Sequence, residues 1–381
     1  MLETMEVNKL KNKALVVCSR RNHFPIIKPV LEELENREWK TKALRAEIFG
    51  EALIRIEKKV KKLKKGIKKN QSSIKKKKHN IHFRKMASHI FLNMIKIGII
   101  SKPNIIIVIT DAPSIERSII HAGKMLKIPS LRLQIGLIGH RHDQCELLVD
   151  KMAICGEATK KILTDKCKID PDKLIITGCP AYDRLVNANK YFNKEQILMN
   201  LKLKEYKKII VFATENLTEK ENNKLANIVC KSLENFHDIQ LIIKVHPGES
   251  DLETYKNIAK KVGIDYKVIR DIDIYKILYI SDLLITYFSA TGLEAMLLKK
   301  PVITLNPFEG NDPVGYATSG ATLIARNVKE LQGSISIALY ENQAITTLIE
   351  NMKEYVYKQS YKQDGKATER VVDLIEEMAG L

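Results

Sequence analysis

Residues 282–307, DLLITYFSATGLEAMLLKKPVITLNP, run through a strand, a turn, a helix and a second strand. Two short apolar runs, 282–287 and 301–305, have the length and composition of buried strands. Between them, the small and hydroxyl-bearing residues of 288–292 are typical of a turn that opens a helix. A strand, a helix and a strand within so short a stretch predict a βαβ unit in a parallel sheet.

The same alternation recurs along the chain and indicates two series of strands. The predicted strands are 14–18, 104–110, 130–135, 151–155 and 174–177, and then 207–214, 239–245, 282–287 and 301–305. A polar, helical stretch at 187–206 separates the two series. The pattern therefore predicts an α/β protein with two doubly wound, Rossmann-like domains, over 1–190 and 205–362. A last helix within 363–381 is compatible with packing on either domain.

The composition is that of a soluble globular protein. The chain has 381 residues, of which 45% are hydrophobic and 29% charged. It contains no apolar run long enough to cross a membrane, and its start lacks the features of a signal peptide. We therefore expect a cytoplasmic protein without a metal site, in which the cysteines are free thiols and most are buried. The six cysteines are Cys18, Cys145, Cys155, Cys167, Cys179 and Cys230.

The formal net charge of +19 comes mostly from one segment. Residues 55–85 contain fifteen Lys or Arg and a single acid, Glu57. The apolar residues of this segment recur at helical spacing, which predicts a basic amphipathic helix that runs into a lysine-rich loop. Three interpretations stay open: a solvated insertion, a surface that contacts anionic lipid headgroups or a phosphorylated lipid acceptor, and, least favoured because aromatic residues are few, nucleic acid.

The turn at 288–292 is the strongest candidate for ligand binding. Ligands of open α/β sheets lie beyond the carboxyl ends of the strands, where this turn begins. Ser289, Thr291 and Gly292 at a helix start suit a phosphate or diphosphate through hydroxyls and unpaired amides. Glu294, one turn later, suits ribose hydroxyls. The alternative is ordinary helix capping by Ser289 or Thr291.

Other strand ends carry further candidates. Lys244 and His246 end the strand at 239–245, where they suit a phosphate or proton transfer, although His246-Pro247 is also a common strand terminator. Asp111 ends the strand at 104–110 and suits either a base or a helix cap.

Gln134 and Gly136 end the next strand, and His140 and His142 follow in its loop. Arg21 lies in the turn after the first strand, where it suits donor phosphates or simple solvation. A P-loop, an NAD fingerprint and the common hydrolase motifs are missing from the sequence.

Taken together, these segments resemble the GT-B superfamily over about 14–50 and 100–378. ITDAPSIERSIIHAGKMLKIPSLRLQIG, IIKVHP and SATGLEAMLLKKPVITLN are similar to segments of UDP-N-acetylglucosamine 2-epimerases, CDP-glycerol glycerophosphotransferases and surface-polysaccharide transferases. The resemblance implies an acceptor-side N-terminal domain, a donor-binding C-terminal domain and a cleft between them. It also implies a UDP- or CDP-linked donor at Ser289, Thr291 and Gly292, with Glu294 at the ribose and His246 near the phosphates. Asp312 matches a loop that faces the cleft in these families.

Two departures from the family patterns bear on the chemistry. The epimerases carry an acidic residue where this chain has Gln134, and an amide cannot exchange a sugar proton. The transferases carry a histidine where this chain has Ile135, which leaves Asp111, His246, His140 or His142 as candidates for the base.

We therefore expect a transferase that uses a nucleotide-activated sugar or polyol-phosphate donor, without a further cofactor, in surface-glycan synthesis. The alternatives are a 2-epimerase and a non-catalytic nucleotide-sugar binder. The expected partners are the donor, a lipid-linked or glycan acceptor and, through 55–85, an anionic inner membrane face. A homodimer remains open, and no nucleic acid is expected.

Overall fold

The computed structural model describes residues 12–18, 24–45, 88–89, 91–92, 95, 101–111, 114–138, 145–249, 251–308, 310 and 312–381. These residues divide into two compact units, and each is described by itself. Unit 1 comprises residues 1–181 together with 366–381, and unit 2 comprises residues 182–365. The C-terminal helix, for which the sequence left either domain open, thus belongs to unit 1.

Unit 1 is built on a six-stranded parallel sheet with the strand order β2-β1-β3-β4-β5-β6. Its strands are β1 (Lys13–Cys18), β2 (Lys40–Arg45), β3 (Ile105–Val108), β4 (Ser130–Leu133), β5 (Lys151–Ile154) and β6 (Leu174–Ile176). Its longer helices are α1 (Phe24–Asn36), α2 (Ser114–Met125) and α3 (Glu157–Asp165).

The central strands of unit 1 are mostly apolar, and β3 is apolar at every position, because both faces of the sheet are covered. In β1, Ala14 and Val16 pack into one core cluster, and Leu15 and Val17 pack into a second cluster on the opposite face. The first cluster also receives Val371 and Ile375 of the C-terminal helix. That helix thereby closes one face of the sheet.

Unit 2 repeats the plan with a second parallel sheet, ordered β12-β11-β10-β7-β8-β9. Its strands are β7 (Lys208–Ala213), β8 (Ile239–Lys244), β9 (Tyr266–Ile269), β10 (Leu283–Thr286), β11 (Val302–Leu305) and β12 (Leu323–Ala325). The helices that complete the chain are α4 (Asp183–Val186), α5 (Ala188–Tyr191), α6 (Lys194–Asn200), α7 (Glu219–Ser232), α8 (Glu253–Val262), α9 (Ile274–Ile280), α10 (Thr291–Leu297), α11 (Val328–Tyr340), α12 (Asn342–Ser360) and α13 (Ala367–Ala379). Two Rossmann-like domains of α/β type are therefore confirmed. The cleft between them stays a prediction.

The cysteines depart from expectation at one place. A disulfide joins Cys145 and Cys167, so the prediction of six free thiols is wrong for this pair. Their Cα atoms lie 4.6 Å apart although 22 residues separate them in sequence, a proximity that no local spacing reveals. The four other cysteines are free, and three of them are buried.

Across the part of the chain that the structure describes, none of the helices combines the length and the apolar character needed to span a bilayer.

Candidate functional site

The carboxyl edge of the unit 2 sheet holds the candidate site. Strand β7 lies between β8 and β10, and the chain order reverses there, since β8 and β9 lie to one side and β10, β11 and β12 to the other. A crevice at such a switch point is where open α/β sheets bind ligands. The predicted residues His246 and Ser289 follow β8 and β10, the two strands that flank β7.

The turn at 288–292 is closed by its own hydrogen bonds. The amide of Thr291 donates to the Ser289 hydroxyl at 3.2 Å, and the amide of Gly292 donates to the Ser289 carbonyl at 3.0 Å. The amide of Leu293 donates to the Tyr316 hydroxyl at 2.9 Å. The expectation of unpaired amides at this helix start is therefore wrong, because the turn and Tyr316 supply acceptors that the local sequence does not show.

Hydroxyl groups remain as the donors of this turn. The Ser289 hydroxyl donates to the Thr291 hydroxyl at 3.0 Å. Among the described residues, the structure gives the Thr291 proton no acceptor, and both side chains are partly exposed. The hydroxyl proton of Thr291 is thus available to a ligand.

Gly292 is needed for packing rather than for approach of a ligand. An ideal Cβ at Gly292 would lie 2.7 Å from both Cζ and the hydroxyl oxygen of Tyr316. The Tyr316 side chain is fully buried, and its hydroxyl donates to the Ser289 carbonyl at 2.6 Å. Tyr316 therefore occupies the space beside Gly292 and fixes the turn from behind.

Glu294 lies one turn into α10, and its carboxyl group accepts a hydrogen bond from the Tyr275 hydroxyl at 3.3 Å. Burial raises the pKa of Glu294 to about 7, the Tyr275 hydroxyl opposes that shift, and the charge of Asp273 adds to it. A carboxyl group with so weak a hydrogen bond retains capacity to accept further bonds from a ligand hydroxyl.

His246 is held in one orientation by its surroundings. Its backbone amide donates to the Thr214 hydroxyl at 2.8 Å, and its Nδ1 accepts from the amide of Gly248 at 3.1 Å. In a neutral imidazole the accepting nitrogen carries no proton, so the proton lies on Nε2. The ring is partly exposed and therefore presents an N–H donor to a ligand.

Lys244 lies at the end of β8 with only 7% of its surface exposed. Its ammonium donates to the carbonyl of Arg270 at 2.7 Å and to that of Val245 at 3.3 Å. Burial lowers the pKa of Lys244, while the carboxylates of Asp271 and Asp273 oppose that shift. Its ammonium group thus links the backbone that follows β8 to the backbone that follows β9.

Two residues that the sequence reasoning missed follow β7 directly. One oxygen of Glu215 accepts from the Thr286 hydroxyl at 3.0 Å and from the amides of Tyr287 and Phe288 at 2.8 and 2.7 Å. The preceding Thr214 accepts the amide of His246. A hydroxyl and a carboxylate after an apolar strand were the available signals, but neither forms a motif.

Asp312 anchors its own loop. Its carboxylate accepts from the amides of Val314, Gly315, Ala317 and Thr318 at 2.6–3.4 Å. These hydrogen bonds explain why position 312 is an aspartate, and no ligand contact is needed to explain it.

A D-x-D spacing at Asp271 and Asp273 also escaped the sequence reasoning. Asp271 pairs with Arg270 at 3.1 Å, and Asp273 pairs with Arg184 at 3.2 Å and caps α9 through the amide of Tyr275. Both carboxylates therefore have structural partners.

In unit 1, Asp111 is buried, and both of its oxygens are engaged. One accepts from the Arg132 guanidinium at 2.8 Å, and the other accepts from the amide of Leu148 at 2.8 Å. The side chain is 4% exposed. This geometry favours an anchoring role, and a catalytic role stays a prediction.

Gln134 uses its whole amide group inside unit 1. Its NH₂ donates to the Gly136 carbonyl at 2.8 Å and to the Thr159 hydroxyl at 3.0 Å, and its oxygen accepts from the amide of Cys155 at 2.7 Å. Gly136 has a φ of 56°, a backbone conformation that favours glycine. Gln134 and Gly136 together close the turn after β4.

Arg21, His140, His142 and the basic segment 55–85 lie outside the described residues. The roles predicted for them stay predictions.

Comparison with known structures supports the fold. A putative UDP-N-acetylglucosamine 2-epimerase from Listeria monocytogenes is 16% identical, with a TM-score of 0.63 and coverage of 96% of both chains. The UDP-N-acetylglucosamine 2-epimerase from Neisseria meningitidis, solved with UDP-GlcNAc bound, is 16% identical, with a TM-score of 0.61 and coverage of 96% of this chain and 100% of that one. The wall teichoic acid polymerase TagF is 14% identical, with a TM-score of 0.60 and coverage of 97% and 89%. A search of curated proteins finds no significant match.

A family-level comparison is more specific than these structural likenesses. Residues 46–377 match the family described as CDP-Glycerol:Poly(glycerophosphate) glycerophosphotransferase. The match spans most of both units and includes the strand ends that carry His246, Ser289 and Glu294. The chain therefore belongs to the CDP-glycerol:poly(glycerophosphate) glycerophosphotransferase family and is a transferase.

Proposed function

We propose that this protein transfers a polyol phosphate from a CDP-linked donor to an acceptor hydroxyl during surface-polymer synthesis. The acceptor oxygen forms a bond to the phosphorus that carries the polyol. The bond from that phosphorus to the bridging oxygen of the diphosphate breaks, and CMP leaves. The acceptor proton passes to a base, for which Asp111 is the described candidate, because the Nδ1 of His246 accepts from Gly248 and its Nε2 carries the proton.

The observation that carries the proposal is the set of open hydrogen-bonding groups at the carboxyl edge of unit 2. His246 presents Nε2–H, Thr291 presents its hydroxyl proton, and Glu294 presents a weakly bonded carboxyl group. Two donors and one acceptor match the diphosphate and the ribose of a nucleotide. Each lies beyond β8 or β10, on either side of the switch point.

The roles within the site follow from hydrogen-bond capacity. Thr291 and His246 donate to the diphosphate, and Glu294 accepts from the ribose hydroxyls. Lys244 acts on the loop between β8 and β9 rather than on the donor, because backbone carbonyls take its ammonium. Arg21 supplies a further cation in this proposal.

Epimerisation, the alternative from the sequence, is less favoured by the structure of unit 1. All polar atoms of Gln134 are bonded internally, and an amide cannot serve as the carboxylate base of that reaction. The epimerase likeness is at 16% identity and thus supports the fold alone.

The first test is calorimetry of the full chain with CDP, UDP, CDP-glycerol and UDP-N-acetylglucosamine. We expect CDP and CDP-glycerol to bind and Glu294→Ala to weaken both. Absence of binding to every one of these compounds would end the proposal.

A product assay separates the possible reactions. Transfer of polyol phosphate from CDP-glycerol releases CMP, whereas transfer of a sugar from a nucleotide diphosphate sugar releases the nucleoside diphosphate. Incorporation of solvent deuterium at carbon-2 of UDP-N-acetylglucosamine would instead indicate epimerisation.

The proposed membrane contact of 55–85 has its own test. Deletion of 56–80 is expected to abolish sedimentation with vesicles that contain anionic lipid, while CDP binding persists. Unchanged sedimentation would assign the contact to another surface.

A further inference from the structure

We propose that Thr214 and Glu215 are positioning residues of the transfer reaction, which together fix His246 on one side and the turn at 288–291 on the other. This inference rests on the proposed function, because its consequence is the spacing between the groups that bind the donor.

The place of these residues in the sheet makes them adjacent to both loops. Ala213 ends β7, so Thr214 and Glu215 are the first residues beyond the central strand. Strand β8 lies on one side of β7 and β10 on the other. Consecutive residues of an extended chain point in opposite directions, which allows one to reach each neighbour.

Thr214 holds the loop of His246. Its hydroxyl accepts the amide of His246 at 2.8 Å and donates to the carboxylate of Glu249. The other oxygen of Glu249 accepts from the hydroxyl of Tyr255, a side chain that is 2% exposed. The hydrogen-bonded chain Thr214–Glu249–Tyr255 therefore ties the loop after β8 to the end of β7 and to α8.

Glu215 holds the turn after β10. The amide of Ser289 bonds the Glu215 carboxylate, and three further hydrogen bonds come from the consecutive residues Thr286, Tyr287 and Phe288 and end on one carboxylate oxygen. These are the residues that lead directly into Ser289. A displacement of Glu215 would therefore move the start of the turn that carries Thr291.

The backbone of Glu215 is itself fixed. Its carbonyl accepts from the side-chain amide of Asn222 at 2.8 Å, and Asn222 is fully buried on α7. Burial raises the pKa of Glu215, and the hydrogen bonds from Phe288, Thr286 and Tyr287 oppose that shift. The carboxyl group thus lies between a rigid anchor and the turn that it holds.

The geometry gives a sharp contrast between substitutions at Glu215. Glu215→Gln retains an acceptor oxygen, whose two lone pairs can keep most of the bonding that converges on one atom. Glu215→Ala removes that acceptor. We expect CMP release by the glutamine variant within about twofold of the parent and a loss of about 10- to 100-fold in kcat/KM for the alanine variant.

A matched pair tests Thr214. Thr214→Ser keeps the hydroxyl, and Thr214→Val keeps the volume but loses both bonds. We expect the serine variant to retain activity and the valine variant to lose about tenfold or more in kcat/KM. The imidazole nitrogen NMR shifts of His246 should change in the valine variant and not in the serine variant, because its loop is released.

The control is a buried threonine of the same sheet outside the proposed site. The hydroxyls of Thr304 and Thr322 bond each other at 2.9 Å, so Thr304→Val also breaks a buried hydroxyl bond. It is expected to change the melting temperature but neither CDP affinity nor the His246 signal. All assays run below the melting temperature of each variant.

Two results would contradict the inference while the proposed function stands. The first is turnover and CDP affinity like those of the parent in folded Glu215→Ala and Thr214→Val. The second is a loss of activity in Thr304→Val equal to that in these two variants. Failure of the parent protein to bind CDP or release CMP would instead contradict the proposed function. If an alanine or valine variant does not fold, the glutamine and serine variants decide, since loss of activity in these two folded proteins overturns the positioning role.

Discussion

Tyr316 fills the space in which a side chain at Gly292 would lie, with its Cζ 2.7 Å from an ideal Cβ at that position. The same tyrosine bonds the Ser289 carbonyl and the Leu293 amide. Its ring and hydroxyl therefore determine both the residue type at 292 and the shape of the turn. A glycine that resembles a phosphate-binding glycine in sequence has a packing function in the structure.

Gly292→Ala is therefore expected to destabilise the protein. Because Tyr316 is fully buried, its ring cannot move without a cost of about 1–3 kcal/mol. Gly333→Ala is the control, since an added Cβ there meets no atom within 4 Å and the residue lies exposed in α11. That control should gain about 0.5–1 kcal/mol, because alanine is the better helix former. Chemical denaturation followed by circular dichroism measures both, and equal stability of the two variants would contradict the packing role.

Asp111→Asn is expected to lower stability, whatever its effect on turnover. The substitution leaves the guanidinium of Arg132, which is 12% exposed, without its buried counter-charge, at a cost of about 3 kcal/mol. Glu146→Gln provides the comparison, because the Arg117–Glu146 pair has a largely exposed carboxylate and should cost less than about 1 kcal/mol. Denaturation and CMP release are measured on the same samples. An Asp111→Asn protein with parent stability and no turnover would support the catalytic base instead.

Lys244→Met should leave CDP affinity within about twofold of the parent, because the ammonium is bonded to backbone carbonyls. If Lys244 bound the donor, its substitution would instead weaken CDP affinity by about tenfold or more, which calorimetry resolves.

Lys244→Met should also change how the stability of the protein depends on pH. Burial lowers the pKa of Lys244, so the unfolded chain binds this proton more tightly than the folded chain. The parent should therefore gain stability as the pH rises toward the ordinary lysine value of about 10.4, and Lys244→Met should lack this gain. Urea denaturation at several pH values measures the difference between the two slopes. Identical slopes would show that Lys244 titrates normally.

The sequence predicted the interior of the fold better than its edges. Strands covered on both faces are apolar runs, such as IIIV at 105–108 and VITL at 302–305, and these were recognised. The missed strands, β2, β9 and β12, all lie at sheet edges. Strand β2 reads KTKALR, and its lysines suit an edge, where charge discourages pairing with other chains. Strands β9 and β12 are only four and three residues long, so they lack a recognisable apolar run.

The candidate site was predictable only in outline. Strand ends located His246, Thr291 and Glu294 because parallel strands gather their carboxyl ends at one edge. The partners that fix these groups are distant in sequence: Glu215 bonds residues 71–73 positions away, and Tyr316 bonds Ser289 across 27. Such contacts depend on strand order, which local patterns do not determine.

Glu294→Gln tests the proposed ribose contact through its pH dependence. The pKa of Glu294 is raised to about 7, mainly by burial, so the carboxylate form that accepts two ribose hydroxyls is lost as the pH falls through that value. CDP affinity of the parent should weaken toward about pH 6 relative to the glutamine variant, which has no such titration. The ratio of the two dissociation constants, measured by calorimetry from about pH 6 to 8, separates the effect of Glu294 from every titration that the two proteins share.

Stability should change in the opposite sense with pH. Because the folded pKa lies above the ordinary glutamate value, the folded protein holds this proton more tightly, and the parent loses stability as the pH rises from about 4.5 through 7. Glu294→Gln should therefore become the more stable protein above about pH 7, by on the order of 3 kcal/mol. Tyr275→Phe is the control, since removal of its hydroxyl bond should raise the pKa of Glu294 further and extend the pH range in which binding is weak. A pH-independent ratio of dissociation constants would mean that Glu294 does not contact the nucleotide.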